Sequence, residues 1–250
     1  MLRLGDVTLG SIPRVVVCLR DNTPQATLDG LVRAGVDAVE LRIDEFTGRS
    51  PAYVTGQVKR VKGLPVIATI RASREGGAWD QDDMARLHLY RRVAPCVQAI
   101  DVEISSSDIA AEVFQMASRS GILSIGSYHD FARTPGARTL KERARQARNM
   151  GADIVKVATF CTGTEDVRRL ALFTAAEPHP VVSMGMGPYG GLTRILLPAL
   201  GSALIYAACG RPTAPGQLSF ADTIAYLKEF YPEYNRDRPD ARPRREKRED

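Results

Sequence analysis

Asp153-Ile-Val-Lys-Val-Ala-Thr159 is the stretch from which the fold is read. β-Branched residues surround a single lysine. Alternation with period two puts Ile154, Lys156 and Ala158 on one face and Val155, Val157 and Thr159 on the other, the pattern of a short strand. A helical stretch at 140–150, stopped by Gly151, precedes it, and another at 165–176 follows. The same unit recurs in both directions. Strands are expected at 15–20, 38–44, 66–71, 99–104, 123–130, 154–159, 181–187 and 203–208. Helices are expected at 24–34, 51–61, 81–94, 108–120, 140–150, 165–176, 191–200 and 220–230, with Gly35, Gly121 and Gly201 as further stops.

Eight β-α units in 250 residues predict a closed parallel (β/α)8 barrel. Strand order is not readable from the sequence, so an open sheet is the alternative. Ahead of the first unit, Gly5-Asp6 between alternating apolar residues predicts a β-hairpin over 2–9. Hydrophobic residues make up 44%, enough for a large core, and no apolar run is long enough to span a bilayer. The N-terminus has no signal-peptide pattern, and Cys18, Cys96, Cys161 and Cys209 are scattered without a Cys-x-x-Cys. These features predict a cytoplasmic protein with free thiols rather than disulfides or a zinc site. The net charge is +5, of which +2 falls in residues 236–250. That segment mixes both signs and has almost nothing to bury, so a disordered tail is expected after a single catalytic domain at 1–235. Mixed signs argue against a nucleic-acid arm.

Lys156 projects from an apolar strand. A buried ammonium must find a partner or lose its proton, and a neutral amine attacks carbonyls to form a Schiff base. The alternative is a lysine that snorkels or pairs with a nearby acid. The other strands bear on this choice. Glu40, Arg42 and Asp44 stand at spacing two, as do Asp101 and Glu103. Arg71 ends the third strand and is followed by Glu75-Gly-Gly, and Ser127-Tyr-His129-Asp ends the fifth. Polar groups at so many strand ends are costly as packing, and in a barrel those ends form the active site. A converging polar pocket is therefore expected. Within it Lys156 supplies an amine, its pKa depressed by burial and by cations such as Arg42 or Arg71. His129 is the acid–base candidate, since His88 and His179 fall in a helix and a loop. Arginines suit a carboxylate or polyhydroxylated substrate. One inward histidine among cations is a poor metal site. The glycine-rich run 184–194 lacks a P-loop ending and fits either an anion site or a flexible loop.

Taken in order, these motifs resemble type I 3-dehydroquinate dehydratase, from about residue 15 to 230. The segments are Glu40-Leu-Arg42-Ile-Asp44, Arg71 with Glu75-Gly-Gly, Ser127-Tyr-His129-Asp-Phe, Lys156-Val-Ala, Ser183-Met-Gly, Arg194 and Ala214-Pro-Gly-Gln217. The resemblance implies dehydration of 3-dehydroquinate to 3-dehydroshikimate in the shikimate pathway of aromatic amino acid biosynthesis. Lys156 would form the imine, His129 would move the protons and Glu75 would orient His129. Arg194 would pair with the substrate carboxylate, while Glu40, Arg42, Arg71, Thr213 and Gln217 would line the rest of the site. No cofactor or metal is implied. A homodimer is implied, with neither nucleic acid nor membrane as partner. Thr193 and Thr213 stand where serine is expected in many relatives; both keep a hydroxyl. Two rival readings share the pocket: another lysine-dependent barrel enzyme such as a class I aldolase, and a non-catalytic binding barrel.

Overall fold

The computed structural model describes residues 2–236. A small antiparallel hairpin comes first, β1 (Arg3–Leu4) and β2 (Val7–Thr8), joined by Gly5-Asp6 with Gly5 at φ +57°. Eight parallel strands follow: β3 (Arg14–Leu19), β4 (Ala38–Arg42), β5 (Val66–Thr69), β6 (Ala99–Glu103), β7 (Leu123–Asp130), β8 (Ile154–Phe160), β9 (Val181–Met186) and β10 (Leu204–Ala208). From β3 to β9 each pairs with the next in sequence, and β10 pairs back onto β3. Between β9 and β10 the seam is held by the bridge of Val181 with Ser202 and by Ala203 N donating to Val181 O at 2.9 Å. The sheet is thus a nearly closed eight-stranded barrel.

Helices α1 (Gln25–Ala34), α2 (Pro51–Arg60), α3 (Asp83–Val93), α4 (Ser107–Arg119), α5 (Ala137–Asn149), α6 (Thr164–Ala176), α7 (Gly190–Leu196) and α8 (Phe220–Phe230) follow successive strands, and α9 (Pro232–Arg236) ends the described chain. Of the segment 236–250, only Arg236 lies within the described residues. Local chemistry sets the helix ends. Ser50, Asp82 and Ser219 accept a hydrogen bond from the first turns of α2, α3 and α8. Gly35, Gly121, Gly151 and Gly201 take φ between +67° and +107° at the expected stops.

Period-two alternation divides the core in two. Val16, Ala38, Ile67, Ala99, Ile125, Ile154, Val182 and Leu204 fill the barrel interior. Val15, Val17, Val39, Leu41, Ile100, Val155 and Val157 face outward into the helices. Both faces of each strand are buried, which explains why the strands read as near-continuous apolar runs. The hairpin contributes Leu4 and Leu9 to the interior cluster, so it closes that core at the end from which the strands start. The opposite end, where the strands finish, is left to polar residues.

Candidate active site

Lys156 sits near the middle of β8, paired with Ser127 on β7 and Val182 on β9, and its side chain points into the barrel. It is 4% exposed. Its Nζ donates to Asp101 Oδ2 at 2.8 Å and to Glu40 Oε1 at 3.3 Å. The Tyr206 ring lies against the same nitrogen, 3.9 Å from Nζ to the centroid. These contacts overturn one expectation. Burial alone would depress the lysine, but Asp101 and then Glu40 more than offset it and hold Lys156 well above its ordinary value. Arg71 does push Lys156 downward as expected, but the two carboxylates outweigh it. Free of substrate, Lys156 is therefore an ammonium.

His129 lies two residues beyond Ser127 on β7, on the same inward face. Its Nδ1 is 2.9 Å from Glu75 Oε2, and its backbone N–H donates to the same oxygen at 3.0 Å. Ser105 Oγ donates to the other oxygen of Glu75. A carboxylate at Nδ1 fixes the tautomer: that nitrogen carries the proton, and Nε2 keeps a free lone pair. Burial, followed by Arg71, lowers the imidazole below its ordinary value despite the opposing pull of Glu75. His129 is accordingly a neutral base near pH 7. Glu75 is held in place by a 3-10 turn, Ser73–Glu75, that ends at Gly76 with φ +76°. A Cβ there would fall 2.6 Å from the Phe131 ring, so only glycine admits that contact.

The arginines divide into two kinds. Arg71 is bound to Asp101 at 2.7 Å, Glu103 at 3.1 Å and Ser127 Oγ at 2.7 Å. Arg42 is bound to Asp44 at 2.8 Å and Glu45 at 3.0 Å. Arg194 differs. It is 2% exposed, and its hydrogen bonds go to backbone carbonyls: Gly185 at 2.7 Å, Gly190 at 2.9 Å, Tyr206 at 3.1 Å and Gly216 at 3.4 Å. No carboxylate pairs with it among the described residues. Burial consequently pulls it down to about 10. A buried guanidinium without a counter-charge is suited to accept an anion. The glycine-rich run is what holds it: Gly187 leads a 3-10 turn into α7, and a Cβ at Gly190 would come 3.0 Å from Arg194 Nη1. The run is packed structure rather than a flexible loop.

Lys156, His129, Glu75, Glu40, Arg42, Arg71, Arg194, Thr213 and Gln217 all line one cavity. Thr213 donates to Gln217 Oε1 from both its backbone N, at 2.8 Å, and its Oγ1, at 3.0 Å, and the amide NH2 of Gln217 donates in turn to Cys18 Sγ at 4.0 Å. Thr193 makes only internal bonds, to Gly185 N and Gly190 O. Asp44, Asp101 and Glu103 do not reach the cavity. Asp44 is bound by Arg42 and Ala78 N. Glu103 is bound by Arg86 and Ala72 N. Cys18, Tyr206, Met184, Met186 and Phe131 also line it, and the sequence reading had not singled them out. The first four stand at spacing two from residues of the inner core, a signal sufficient to find them. Tyr206 Oη is buried and has no hydrogen-bond partner among the described residues. No group of three or more His, Cys, Asp or Glu among them is arranged to hold a metal ion.

Comparison with known proteins places the chain in a family. The model of the type I 3-dehydroquinase family matches residues 15–232. A 3-dehydroquinate dehydratase of Hydrogenobaculum sp. is 34% identical over 197 residues, covering 78% of this chain and 89% of that protein. One from Thermodesulfovibrio yellowstonii is 33% identical over 226 residues, covering 88% and 96%. The crystal structure of the 3-dehydroquinate dehydratase from Aquifex aeolicus superposes with a TM-score of 0.80 at 30% identity, covering 88% of this chain and 99% of that one.

Proposed function

The chain belongs to the type I 3-dehydroquinase family, and from that premise we propose that it dehydrates 3-dehydroquinate to 3-dehydroshikimate through an imine on Lys156. The observation that carries the proposal is that Lys156, the free Nε2 of His129 and the uncompensated Arg194 meet in one cavity. In the substrate, C1 bears both the carboxylate and the departing hydroxyl, C3 is the ketone and C2 lies between them. Arg194 takes the carboxylate and Lys156 takes C3, which brings C2 toward His129. Glu40, Arg42, Arg71, Thr213 and the amide of Gln217 surround the ring and its hydroxyls.

Lys156 starts as an ammonium, so its proton has to leave before attack. Neutral His129, on the same cavity, is the acceptor. The amine then adds to C3, the proton returns to the oxygen, and a second proton passes from the carbinolamine nitrogen to that oxygen through His129, so that it departs as water. An ammonium and a ketone thereby become an iminium and water without net change of charge. The iminium withdraws electrons from C2, His129 removes the C2 proton, and the C1 hydroxyl leaves as a second water with that proton. Hydrolysis of the imine releases the product. Dividing one hard elimination into these steps is what covalent catalysis supplies. Glu75 keeps the His129 ring in the productive tautomer throughout.

The same reading takes residues 1–235 as one catalytic unit that works as a homodimer in the cytoplasm. The family resemblance supports the dimer, and no helix among the described residues is long and apolar enough to cross a membrane. The product is a conjugated enone and absorbs in the ultraviolet where the substrate does not. Mixing the protein with 3-dehydroquinate should produce that absorbance, and Lys156→Ala should abolish it. Sugar-phosphate cleavage in its place would favour the aldolase reading, and tight binding of 3-dehydroquinate without product would favour the binding barrel.

A further inference from the structure

Four groups closed off from the cavity surround the base of the site: Asp101, Ser127, Glu103 and Arg86. Asp101 is the only one bonded to the lysine nitrogen. It is 0% exposed, and its two oxygens take three donors: Lys156 Nζ at 2.8 Å, Arg71 Nη2 at 2.7 Å and Ser127 Oγ at 2.7 Å. Burial would raise its pKa, but Arg71 and then Lys156 more than offset that and keep the carboxyl far below its usual range. Asp101 is therefore ionised, with both oxygens engaged by these donors. It is a fixed negative charge held against a reacting atom.

The other groups that face the Lys156 nitrogen are Glu40 from β4, Tyr206 from β10, Arg71 after β5, His129 from β7 and Cys18 from β3. Glu40 is already engaged by Thr69 Oγ1 at 2.8 Å and by the Cys18 thiol at 3.1 Å, and it lines the cavity where substrate enters. Asp101 has no such exposure.

We infer that Asp101 is a catalytic residue of this reaction: the buried carboxylate that balances the positive charge on the Lys156 nitrogen, first as ammonium and then as iminium. The inference rests on Lys156 being the imine-forming amine. The nitrogen is cationic at both ends of imine formation, so a charge that favours the ammonium does not oppose the overall step. It opposes only the neutral amine and carbinolamine between them. The iminium is the electron sink for the elimination, and a preorganised counter-charge in a water-excluded site is an effective way to stabilise it.

Asp101→Asn keeps the shape and removes the charge. Loss of one such electrostatic stabiliser is expected to lower kcat by roughly a hundredfold to a thousandfold. The fraction of enzyme trapped as imine by borohydride should fall with it. Disturbance of Arg71 alone would show mainly in KM. The second readout is the 15Nζ resonance of Lys156 followed against pH. In the unaltered enzyme it should stay that of an ammonium beyond about pH 10.4, the ordinary value for a lysine, and in Asp101→Asn it should titrate at lower pH than in the unaltered enzyme. A residue that merely supports the fold would lower thermal stability and leave that titration in place. If Asp101→Asn does not fold, the titration of the unaltered enzyme decides: Lys156 losing its proton at or below the ordinary lysine value overturns the inference. So does an Asp101→Asn enzyme with kcat within twofold of the original. Absence of any borohydride adduct on Lys156 in the unaltered enzyme would instead remove the imine itself.

Discussion

The inward direction of Lys156 was legible from alternation, and His129 stood out because the other two histidines fall in a helix and a loop. The charge on Lys156 was not legible. It depends on Asp101 and Glu40, which lie 55 and 116 residues away in the chain and reach the nitrogen only once the barrel forms. The same distance hides the tautomer of His129, which Glu75 sets from another loop. His129→Ala tests the division of labour at this scale. Lys156 is still present to attack the ketone, so some adduct should form. Proton removal from C2 should slow by about a hundredfold to ten-thousandfold, the usual worth of general acid–base catalysis. The acid limb of the kcat/KM profile should fall at a pH below 6.5, because the imidazole's pKa is lowered in the folded protein. The sign for stability matches: the contribution of neutral His129 is complete above the unfolded value and is lost as pH falls through the folded one. Near-normal turnover without the imidazole would assign the proton transfers to a carboxylate or water.

At the scale of elements, strand and helix positions followed from periodicity, and β7 and α8 match the expected bounds at both ends. β4 was expected to reach residue 44 but ends at Arg42, where Ile43–Glu45 turns so that Asp44 and Glu45 both meet the Arg42 guanidinium. The glycine-rich run was ambiguous in the sequence because its role depends on the segment 213–217. Gly187 N donates to Pro215 O at 3.0 Å, and Gly216, at φ +73°, lies so close that a Cβ would come 2.1 Å from Gly187 O. Gly216→Ala should therefore lift this segment, with Thr213 and Gln217, away from the cavity. The left-handed backbone alone costs an alanine roughly 1–2 kcal/mol, and the clash adds to it. KM for 3-dehydroquinate is expected to rise about tenfold, equivalent to roughly 1.4 kcal/mol, with a smaller change in kcat because Lys156 and His129 are untouched. Steady-state kinetics separates the two; an unchanged KM would mean that the segment does not hold substrate.

The whole molecule adds what no single unit contains. Glu40 comes from β4, Asp101 from β6, His129 from β7, Lys156 from β8 and Tyr206 from β10, and closure of the barrel is what makes them neighbours. Strand order was not readable in the sequence, because every strand is apolar on both faces and could pair with any other. The small hairpin seals the opposite end of the same interior with Leu4 and Leu9. A reactive lysine is thus a property of the closed barrel. Lys59, Lys62, Lys141 and Lys228 lie on its exposed outside and share neither the carboxylates nor the cavity.

Borohydride reduction in the presence of 3-dehydroquinate tests that claim most directly. An iminium is reduced to a stable secondary amine, whereas a non-covalent complex is not. After digestion, the added mass should fall on the peptide that contains Lys156, vanish when the protein is unfolded in urea before substrate is added, and vanish in Lys156→Ala together with turnover. Lys156→Arg should be equally inert, since a guanidinium offers no neutral amine. A label spread over Lys59, Lys62 and Lys141, or dehydration that continues with no label on Lys156, would contradict the account.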